Sequence, residues 1–325
     1  MLTPRENLLE TINFGNPEYV PLFFEAYSVC GMSLFPEVEM PWESGVDPFG
    51  IPWKANALGS MPDTTVAPQL EDIADWKEVV KIPDIDHVDF EGVAKEELKN
   101  VDRNQQAVVI MHGVGIFERL VSFMGYEEAL MSLLTDPESC MEFFDAVTDY
   151  KIKVANRMID AYHPDVYCPA DDIASAQNLF MSPQVYREVI KPYHAKLAKA
   201  ITDRGVILSW HTCGKCEAVL EDYVDMGVKI WTSAQIMNDI PGIQKRFKGR
   251  LVVEGGWDSS GLPGFISATE DDIRTEVRRT IEEYGKNGGF ILNPTLVNEK
   301  GNALLVGDDR MPALFDEWGK YKNFR

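Results

Sequence analysis

A histidine and a cysteine separated by one residue, His211 and Cys213, come directly after a short apolar run. Such a run between glycines is typical of a strand buried on both faces of a parallel sheet. Side chains two residues apart on a strand point the same way, so this imidazole and thiol can face one point in space. Together they are donors that Zn²⁺ prefers, and Cys216 follows closely enough to contribute. The alternative is a buried histidine and a buried free cysteine with no metal.

Seven apolar runs of strand length alternate with segments of helical periodicity. The predicted strands cover residues 20–25, 107–113, 164–168, 205–210, 229–233, 250–253 and 289–292. Strands that alternate with helices at this spacing indicate parallel βαβ units. We therefore predict an α/β fold, a (β/α)8 TIM barrel with an N-terminal extension, formed by one domain over residues 1–325. A doubly wound open sheet is the alternative, but no Gly-x-Gly-x-x-Gly fingerprint follows any of the runs.

Two stretches before the second predicted strand carry their own signals. Thr3, Pro4 and Glu6 supply an N-cap, a proline in the first helical turn and the carboxylate of a capping box, so a helix should begin there. Residues 30–106 are rich in proline and glycine and show no regular alternation. We predict that 30–106 is an insertion or lid-like segment and that it contains the eighth strand of the barrel.

Polar residues end most of the predicted strands, and in a barrel the carboxyl ends of the strands form the working face. These residues are Glu25, His112, Asp171, Asp172, His211, Cys213, Glu254, Asp258 and Asn293. Their convergence would suit metal-assisted or acid–base chemistry. We take Asp171, Asp172 and His112 as candidate catalytic residues. The alternatives are a helix cap or an ion pair with Arg187 for Asp172, and a core histidine for His112.

Composition narrows the class of protein. The 325 residues carry a formal net charge of −21 and no basic stripe, so nucleic acid is not an expected partner. No apolar run is long enough for a signal peptide core or a membrane span. Five cysteines, an odd number without framework spacing, indicate reduced thiols and a cytoplasmic location. The oligomeric state is left open, and an oligomer is compatible with the sequence.

An ordered series of short motifs resembles the uroporphyrinogen decarboxylase superfamily over nearly the whole chain. The motifs are Thr3-Pro4-Arg5-Glu6, Asp171-Asp172, Phe180-Met181-Ser182-Pro183, Ile190-Lys191-Pro192-Tyr193, His211-Thr212-Cys213-Gly214, Lys245-Arg246-Phe247, Gly255-Gly256-Trp257-Asp258 and Gly288-Gly289-Phe290-Ile291-Leu292. The resemblance implies a (β/α)8 barrel. Decarboxylases of the superfamily carry an arginine-rich stretch after the first strand, whereas residues 24–30 of this chain contain no arginine. An acidic chain without a basic clamp is a poor host for a polyanionic tetrapyrrole.

The corrinoid-dependent methyltransferase branch of the superfamily is the closer resemblance. It implies that His211 and Cys213 bind zinc, with a third ligand near the last strand. Residues 290–295 contain no cysteine, so Glu254 and Cys216 are the substitutes considered, and a carboxylate is an ordinary third zinc ligand. Trp257 and Asp258 are expected to border the cofactor pocket. Glu118 and Arg119, in a further motif shared with this branch, are expected to form a structural ion pair.

The resemblance implies a zinc-dependent methyltransferase that moves a methyl group between a small-molecule donor or acceptor and a corrinoid (cobalamin). A methoxylated aromatic, undergoing O-demethylation, is the preferred substrate class. The chain contains no Asp-x-His-x-x-Gly stretch, so the corrinoid is expected on a partner protein that docks over the barrel mouth. The alternatives are a uroporphyrinogen decarboxylase-type lyase and a non-catalytic ligand-binding barrel.

Overall fold

The computed structural model describes residues 1–56, 59–295 and 308–323. The strands, in chain order, are β1 Tyr27–Cys30, β2 Gly45–Val46, β3 Pro52–Asn56, β4 Gly59–Pro62, β5 Ala107–His112, β6 Val166–Pro169, β7 Ile207–His211, β8 Ile230–Ala234, β9 Val252–Gly256 and β10 Phe290–Asn293. Seven of them form one parallel sheet in the order β1-β5-β6-β7-β8-β9-β10. Leu22, just before β1, makes a single parallel bridge to Leu292 of β10. The sheet is therefore curled, with the segment before β1 beside β10, as in a TIM-barrel-like α/β fold.

Helices connect and surround these strands. They are α1 Pro4–Ile12, α2 Phe23–Ala26, α3 Phe35–Val38, α4 Trp76–Val79, α5 Phe90–Glu97, α6 Ile116–Met124, α7 Tyr126–Thr135, α8 Pro137–Tyr162, α9 Pro183–Val185, α10 Lys191–Thr202, α11 Leu220–Asp225, α12 Ile240–Arg246, α13 Glu270–Tyr284 and α14 Met311–Tyr321. The capping box predicted for α1 is confirmed, because Thr3 and Glu6 exchange side-chain and backbone hydrogen bonds. Among the described helices, none is both long and apolar enough to cross a membrane.

Two strand predictions were wrong. Of the run at 20–25, only Leu22 pairs, and α2 follows before β1 begins at Tyr27. A short apolar run does not distinguish a strand from a buried helical turn, which is why the pattern misled. Apart from Cys30, the last residue of β1, the described part of 30–106 contributes nothing to the parallel sheet. Its strands β2, β3 and β4 form a separate antiparallel sheet, in which β3 and β4 pair locally as a hairpin.

The described part of 30–106 packs into the main core. Its buried apolar residues belong to the same cluster as those of α8 and of the helices around it. Three buried ionic contacts add to this packing. Arg119 of α6 pairs with Asp47, and Glu39 contacts both His112 and Lys151 of α8. The predicted Glu118–Arg119 ion pair is therefore wrong, since Arg119 points to Asp47. The lid-like role of the segment stays a prediction.

Alternation along the strands separates two layers of core. One cluster lies inside the curled sheet and contains Ala107, Val109, Val166, Cys168, Ile230, Val252 and Ile291, with Leu8 and Ile12 of α1. The residues between them, such as Val108 and Ile110 of β5, belong to the larger cluster that faces the helices. This parity decides which strand-end side chains reach the interior and which face the helical layer.

Candidate metal site at the carboxyl end of the sheet

His211 and Cys213 lie together at the carboxyl end of β7. His211 is the last residue of the strand, and Cys213 belongs to the loop that follows. Cys213 Sγ lies 3.4 Å from His211 Nε2, and both side chains are partly exposed. The imidazole and the thiol therefore lie together at the carboxyl end of the sheet, and both are partly open to solvent.

Asp172, in the loop after β6, completes a group of three donors. Its Oδ1 lies 3.8 Å from His211 Nε2 and accepts a hydrogen bond of 2.7 Å from the Cys213 amide. One donor atom from each of the three residues lies within 4.8 Å of the others, and no other such group of His, Cys, Asp or Glu occurs in the part of the chain that the structure describes. Asp172 was expected as a catalytic residue, so its place among the donors is a finding of the structure.

The donor set fits Zn²⁺. Ordinary Zn–N, Zn–O and Zn–S lengths in a tetrahedral site place the donors about 3.4 to 3.6 Å apart. The two separations measured from His211, 3.4 Å to sulfur and 3.8 Å to oxygen, lie close to these values. Nitrogen, sulfur and oxygen from three residues leave one position of a tetrahedral site open, as in catalytic zinc sites.

The two residues expected as third ligand lie outside this group. Cys216 is fully buried in the loop beyond Cys213, and burial raises the pKa of its thiol. Glu254 of β9 is also buried and accepts hydrogen bonds from Thr232 Oγ1 at 2.6 Å and Asn293 Nδ2 at 3.0 Å. Burial raises the pKa of Glu254, although these donors oppose the shift. The carboxylate that lies beside His211 and Cys213 is that of Asp172, from the neighbouring loop. The spacing of residues in the sequence does not reveal this.

The loop that carries Cys213 is held from two sides. On one side Lys215 N donates to Ser175 O at 2.8 Å. On the other, Gly214 N donates to the Gln235 side chain at 2.7 Å, and Asn238 bonds both Gly214 O and Cys216 N. Gly214 has φ +83°, and a Cβ there would lie 2.5 Å from Ala174 O. The loop therefore needs glycine at this position and has little freedom to move the thiol.

Asp171 faces away from the three donors and supports the helical layer. Its side chain, 1% exposed, accepts hydrogen bonds from the amides of Phe117 and Glu118 at 3.0 and 3.1 Å, at the start of α6. It also contacts His194 Nε2 of α10 at 2.8 Å. These contacts occupy both carboxylate oxygens, so Asp171 positions α6 against the site. Its predicted catalytic role stays a prediction.

Glu118, which the sequence analysis treated as structural, lies beside the site. Its carboxylate accepts a hydrogen bond from Gly115 N at 2.8 Å in the first turn of α6. Burial, and then the charges of Asp172 and Asp171, raise its pKa to about 8. Among the described residues, no lysine or arginine pairs with Glu118 or Asp172. The sequence did offer a signal for Glu118, namely an acidic residue in the first turn of a helix that follows a strand.

Aromatic residues flank Glu118. Phe180 packs between Phe117 and Tyr126, with ring centroids 6.2 and 5.2 Å apart. Burial, and then the charge of Glu118, raise the pKa of Tyr126. We call Phe117, Tyr126 and Phe180 the aromatic wall. Phe117 is fully buried, whereas Tyr126 is 48% exposed, so the wall is open to solvent mainly at Tyr126.

Several predicted site residues lie elsewhere. His112 was expected at the mouth, but it faces the helical layer, where it contacts Glu39 and accepts or donates a 2.7 Å hydrogen bond with Tyr167. Its neighbour Met111 borders the interior instead, so strand parity turns His112 outward. Glu25 lies in α2, before β1, and so is not at the carboxyl end of a strand.

Trp257 and Asp258 lie just after β9. Trp257 is buried, and its Nε1 donates to Pro263 O at 3.4 Å. Asp258 accepts hydrogen bonds from Ser260 N and Gly261 N, which shape its own loop. Their expected contact with a cofactor stays a prediction.

Comparisons with known proteins agree with this architecture. Residues 32–296 match the family model described as "Uroporphyrinogen decarboxylase (URO-D)". The chain is 29% identical over 171 residues to "Methylcobamide:CoM methyltransferase MtaA" of Methanosarcina barkeri, an alignment that covers 52% of this chain and 48% of the relative. It is 28% identical over 123 residues to "Methylated-thiol--coenzyme M methyltransferase" of Methanosarcina mazei, with 35% and 32% covered. The alignments thus span about half and about a third of the curated relatives.

A solved structure extends the match over the whole fold. The structure titled "methyltransferase from Methanosarcina mazei" superposes with a TM-score of 0.69 at 18% identity and covers 99% of each chain. At this identity the superposition shows the shared fold. Since the family model covers most of the chain, the protein belongs to the uroporphyrinogen decarboxylase (URO-D) family, and its relatives here are methyltransferases of that family.

Proposed function

We propose that this protein is a zinc-dependent methyltransferase that moves a methyl group between a small substrate and a corrinoid carried by a partner protein. The observation that carries the proposal is the group of one imidazole, one thiol and one carboxylate at the carboxyl end of the sheet. The names of the two curated relatives support the reaction class, since both are methyltransferases and one acts with a methylcobamide.

His211, Cys213 and Asp172 would hold the zinc. Bound there, zinc supplies a Lewis acid that polarises a substrate oxygen or stabilises a thiolate at neutral pH. The protein's own part is to fix the donors, which the hydrogen bond from the Cys213 amide to Asp172 does directly. The charge of Asp172 beside Glu118 favours a cation at this point, because a dication would relieve the repulsion that, after burial, raises the pKa of Glu118.

A methoxylated aromatic is the substrate class that we propose. In the aromatic wall, Tyr126 and the half-buried Phe180 offer ring surface near the acid Glu118, whereas Phe117 is fully buried. A reduced corrinoid on the partner protein would take the methyl group, and the electron pair of the broken methyl C–O bond would stay on the phenol oxygen. We propose that the carboxyl group of Glu118 gives that oxygen its proton.

The two alternative functions are less well supported. A decarboxylase for a polyanionic tetrapyrrole would need cationic groups around its pocket, whereas Asp171, Asp172 and Glu118 cluster at this site. A non-catalytic ligand-binding barrel would not need three metal donors with one open position. The corrinoid partner, and its docking over the carboxyl ends of the strands, belong to the proposal.

Metal content tests the proposal first. The protein is purified without chelators, and zinc per chain is measured by mass spectrometry for the wild type and for the His211→Ala/Cys213→Ala double variant. We expect one zinc in the wild type and none in the variant. Cys140→Ala is the matched control, because this buried cysteine of α8 lies outside the donor group and its loss should leave zinc bound.

Methyl transfer is then measured with a panel of methoxylated aromatics and a Co(I) corrinoid protein. We expect the Co(I) absorbance to decay and the methyl-Co(III) absorbance to rise with the wild type but not with the double variant. A well-folded wild type that stays free of metal after zinc is added would overturn the zinc mechanism. A zinc-loaded wild type that accepts no methoxylated aromatic would reject that substrate class alone.

A further inference from the structure

We propose that Ser233 is a positioning residue of the metal centre: its hydroxyl donates a hydrogen bond to the Cys213 sulfur when that sulfur is a metal-bound thiolate. The inference rests on the proposed function, since it assumes that Cys213 binds a metal. Ser233 Oγ lies 3.6 Å from Cys213 Sγ, within the range of a hydrogen bond to sulfur. In the thiol form the S–H group donates to Ser233. Once the proton has left, the O–H group takes over as donor.

A β-bulge in β8 aims Ser233 at this sulfur. Thr232 pairs with Glu254, and Ala234 pairs with Gly255, so Ser233 is an extra residue between two consecutive pairs. Thr232 faces the interior, where it bonds Glu254. In a regular strand the next side chain would face the helical layer. The bulge breaks that alternation and turns Ser233 toward Cys213, a known use of bulges next to active sites.

Two features mark the bulge. Ser233 has φ +60°, a conformation that residues other than glycine rarely adopt. On the neighbouring strand, a Cβ at Gly255 would lie 2.6 Å from Ala234 O and 2.7 Å from Ala234 N, so only glycine leaves room for the bulged backbone. Strain of this kind persists where the surrounding structure enforces it, and it concentrates at functional sites. Here the strained residue is the one whose side chain reaches the candidate ligand.

A hydrogen bond to a metal thiolate has two measurable effects. It stabilises the thiolate against reprotonation and fixes its orientation, and outer partners of this kind typically change metal affinity by about 10- to 100-fold. It also withdraws electron density from sulfur, which raises the energy of sulfur-to-metal charge transfer. Without the hydroxyl, that absorption should move to longer wavelength. Neither effect is expected of a serine that only completes a turn.

The test uses Co²⁺ as a spectroscopic replacement for zinc. Metal affinity is measured by chelator competition, and the sulfur-to-cobalt band is recorded for the wild type, Ser233→Gly and Ser209→Ala. Glycine suits φ +60°, so Ser233→Gly should have a melting temperature no lower than the wild type. It should nevertheless bind metal about ten-fold more weakly and show a red-shifted band. Ser209→Ala, which removes a hydroxyl bonded to Ile230 O on the adjacent strand, is the matched control and should leave the band unmoved.

The outcomes separate the two proposals. If the wild type shows no sulfur-to-cobalt band, the metal site and the inference fail together. If the wild type shows the band, and Ser233→Gly leaves both band and affinity unchanged, then the role of Ser233 is refuted and the metal site stands. A loss of affinity in Ser233→Gly without any spectral shift would also refute the hydrogen bond, because the sulfur electrons would then be unaffected.

Discussion

At the scale of single residues, the candidate site depends on which residue supplies an oxygen donor beside the imidazole of His211 and the thiol of Cys213. Asp172 reaches them because two consecutive loops, after β6 and β7, lie side by side and share the hydrogen bond from the Cys213 amide to Asp172. Cys216 is closer along the chain, yet it is buried behind the loop that carries Cys213. A residue that is close to His211 and Cys213 in the sequence therefore need not place its donor atom close to theirs.

Asp172→Asn tests the third ligand. Asparagine keeps the oxygen that accepts from the Cys213 amide, but it removes the negative charge that a zinc ligand supplies. We expect its zinc affinity to fall by at least the roughly 10- to 100-fold that loss of an outer partner costs. Zinc competition with a chromogenic chelator gives the measurement. Glu254→Gln and Cys216→Ala are the paired controls, and a loss of zinc in either one with none in Asp172→Asn would move the third ligand there.

Gly214→Ala tests the geometry of the metal loop. A methyl group there would lie 2.5 Å from a carbonyl oxygen of the neighbouring loop, in a residue whose φ is already +83°. We expect a loss of roughly 2 kcal/mol or more in the free energy of unfolding, measured in urea, together with weaker zinc binding. Gly205→Ala is a matched control, because Gly205 has φ +75° with no atom within 4 Å of the added Cβ. Equal losses in the two variants would show that φ alone matters and that the contact does not.

At the scale of elements, the loop after β6 supports both the start of α6 and the loop after β7. The loop after β6 supplies Asp171 to the start of α6, and α6 in turn presents Glu118 to the site. The same loop also bonds the loop after β7 through Ser175. α10 joins this arrangement through His194, which contacts Asp171. The position of Glu118 thus depends on a carboxylate that never touches the candidate metal site.

Asp171→Ala tests this supporting role. The substitution removes the bonds to two amides at the start of α6, worth about 1 kcal/mol each, and leaves Nε2 of the buried His194 without its Asp171 partner. We expect the free energy of unfolding, from urea titration, to fall by about 2 to 4 kcal/mol. Asp172→Asn, whose side chain is partly exposed, should stay close to the wild type in the same measurement. An Asp171→Asn variant with full stability and bound zinc, but no methyl transfer, would instead assign Asp171 a direct catalytic role.

At the scale of the whole molecule, a net charge of −21 coexists with ion pairs that join one helix to another. Asp222 of α11 is an example, since it contacts Lys191 of α10 at 2.7 Å and Arg187 at 3.0 Å. Burial alone would raise the pKa of Asp222, but the hydrogen bonds from Arg187 and Lys191 outweigh it, so the pKa is lowered. The overall acidity therefore does not weaken these local contacts.

The stability of the protein should depend on pH through Asp222 and its contacts with Lys191 and Arg187. The pKa of Asp222 is lower in the folded than in the unfolded chain, where it is about 3.9, so its stabilising effect is complete above that value and is lost as pH falls through the folded pKa. We expect the difference in unfolding free energy between the wild type and Asp222→Asn to be largest near pH 6 and to shrink toward pH 3. Urea titrations at several pH values provide the measurement. A difference between the two proteins that does not change with pH would contradict this assignment. Repulsion among the other acids affects the wild type and Asp222→Asn alike, so it cancels in the comparison.

Local patterns determined much of the architecture. Strands β5 to β10 follow apolar runs that are visible in the sequence, and α1 begins where Thr3 and Glu6 predict it. The strand at 20–25 was misplaced because an apolar run does not distinguish a strand from a buried helical turn. The eighth strand was misplaced because composition alone cannot say which sheet a hairpin joins.

For the site, the sequence by itself determined the pairing of His211 with Cys213, because the period of a strand is two and the spacing is local. Only the tertiary structure decided that Asp172 is the oxygen beside them, that His112 faces the helices and that Ser233 points at Cys213. These three facts depend on the register between strands and on one bulge. Register is a relation between segments distant in the chain, and strands buried on both faces carry no alternation from which it can be deduced.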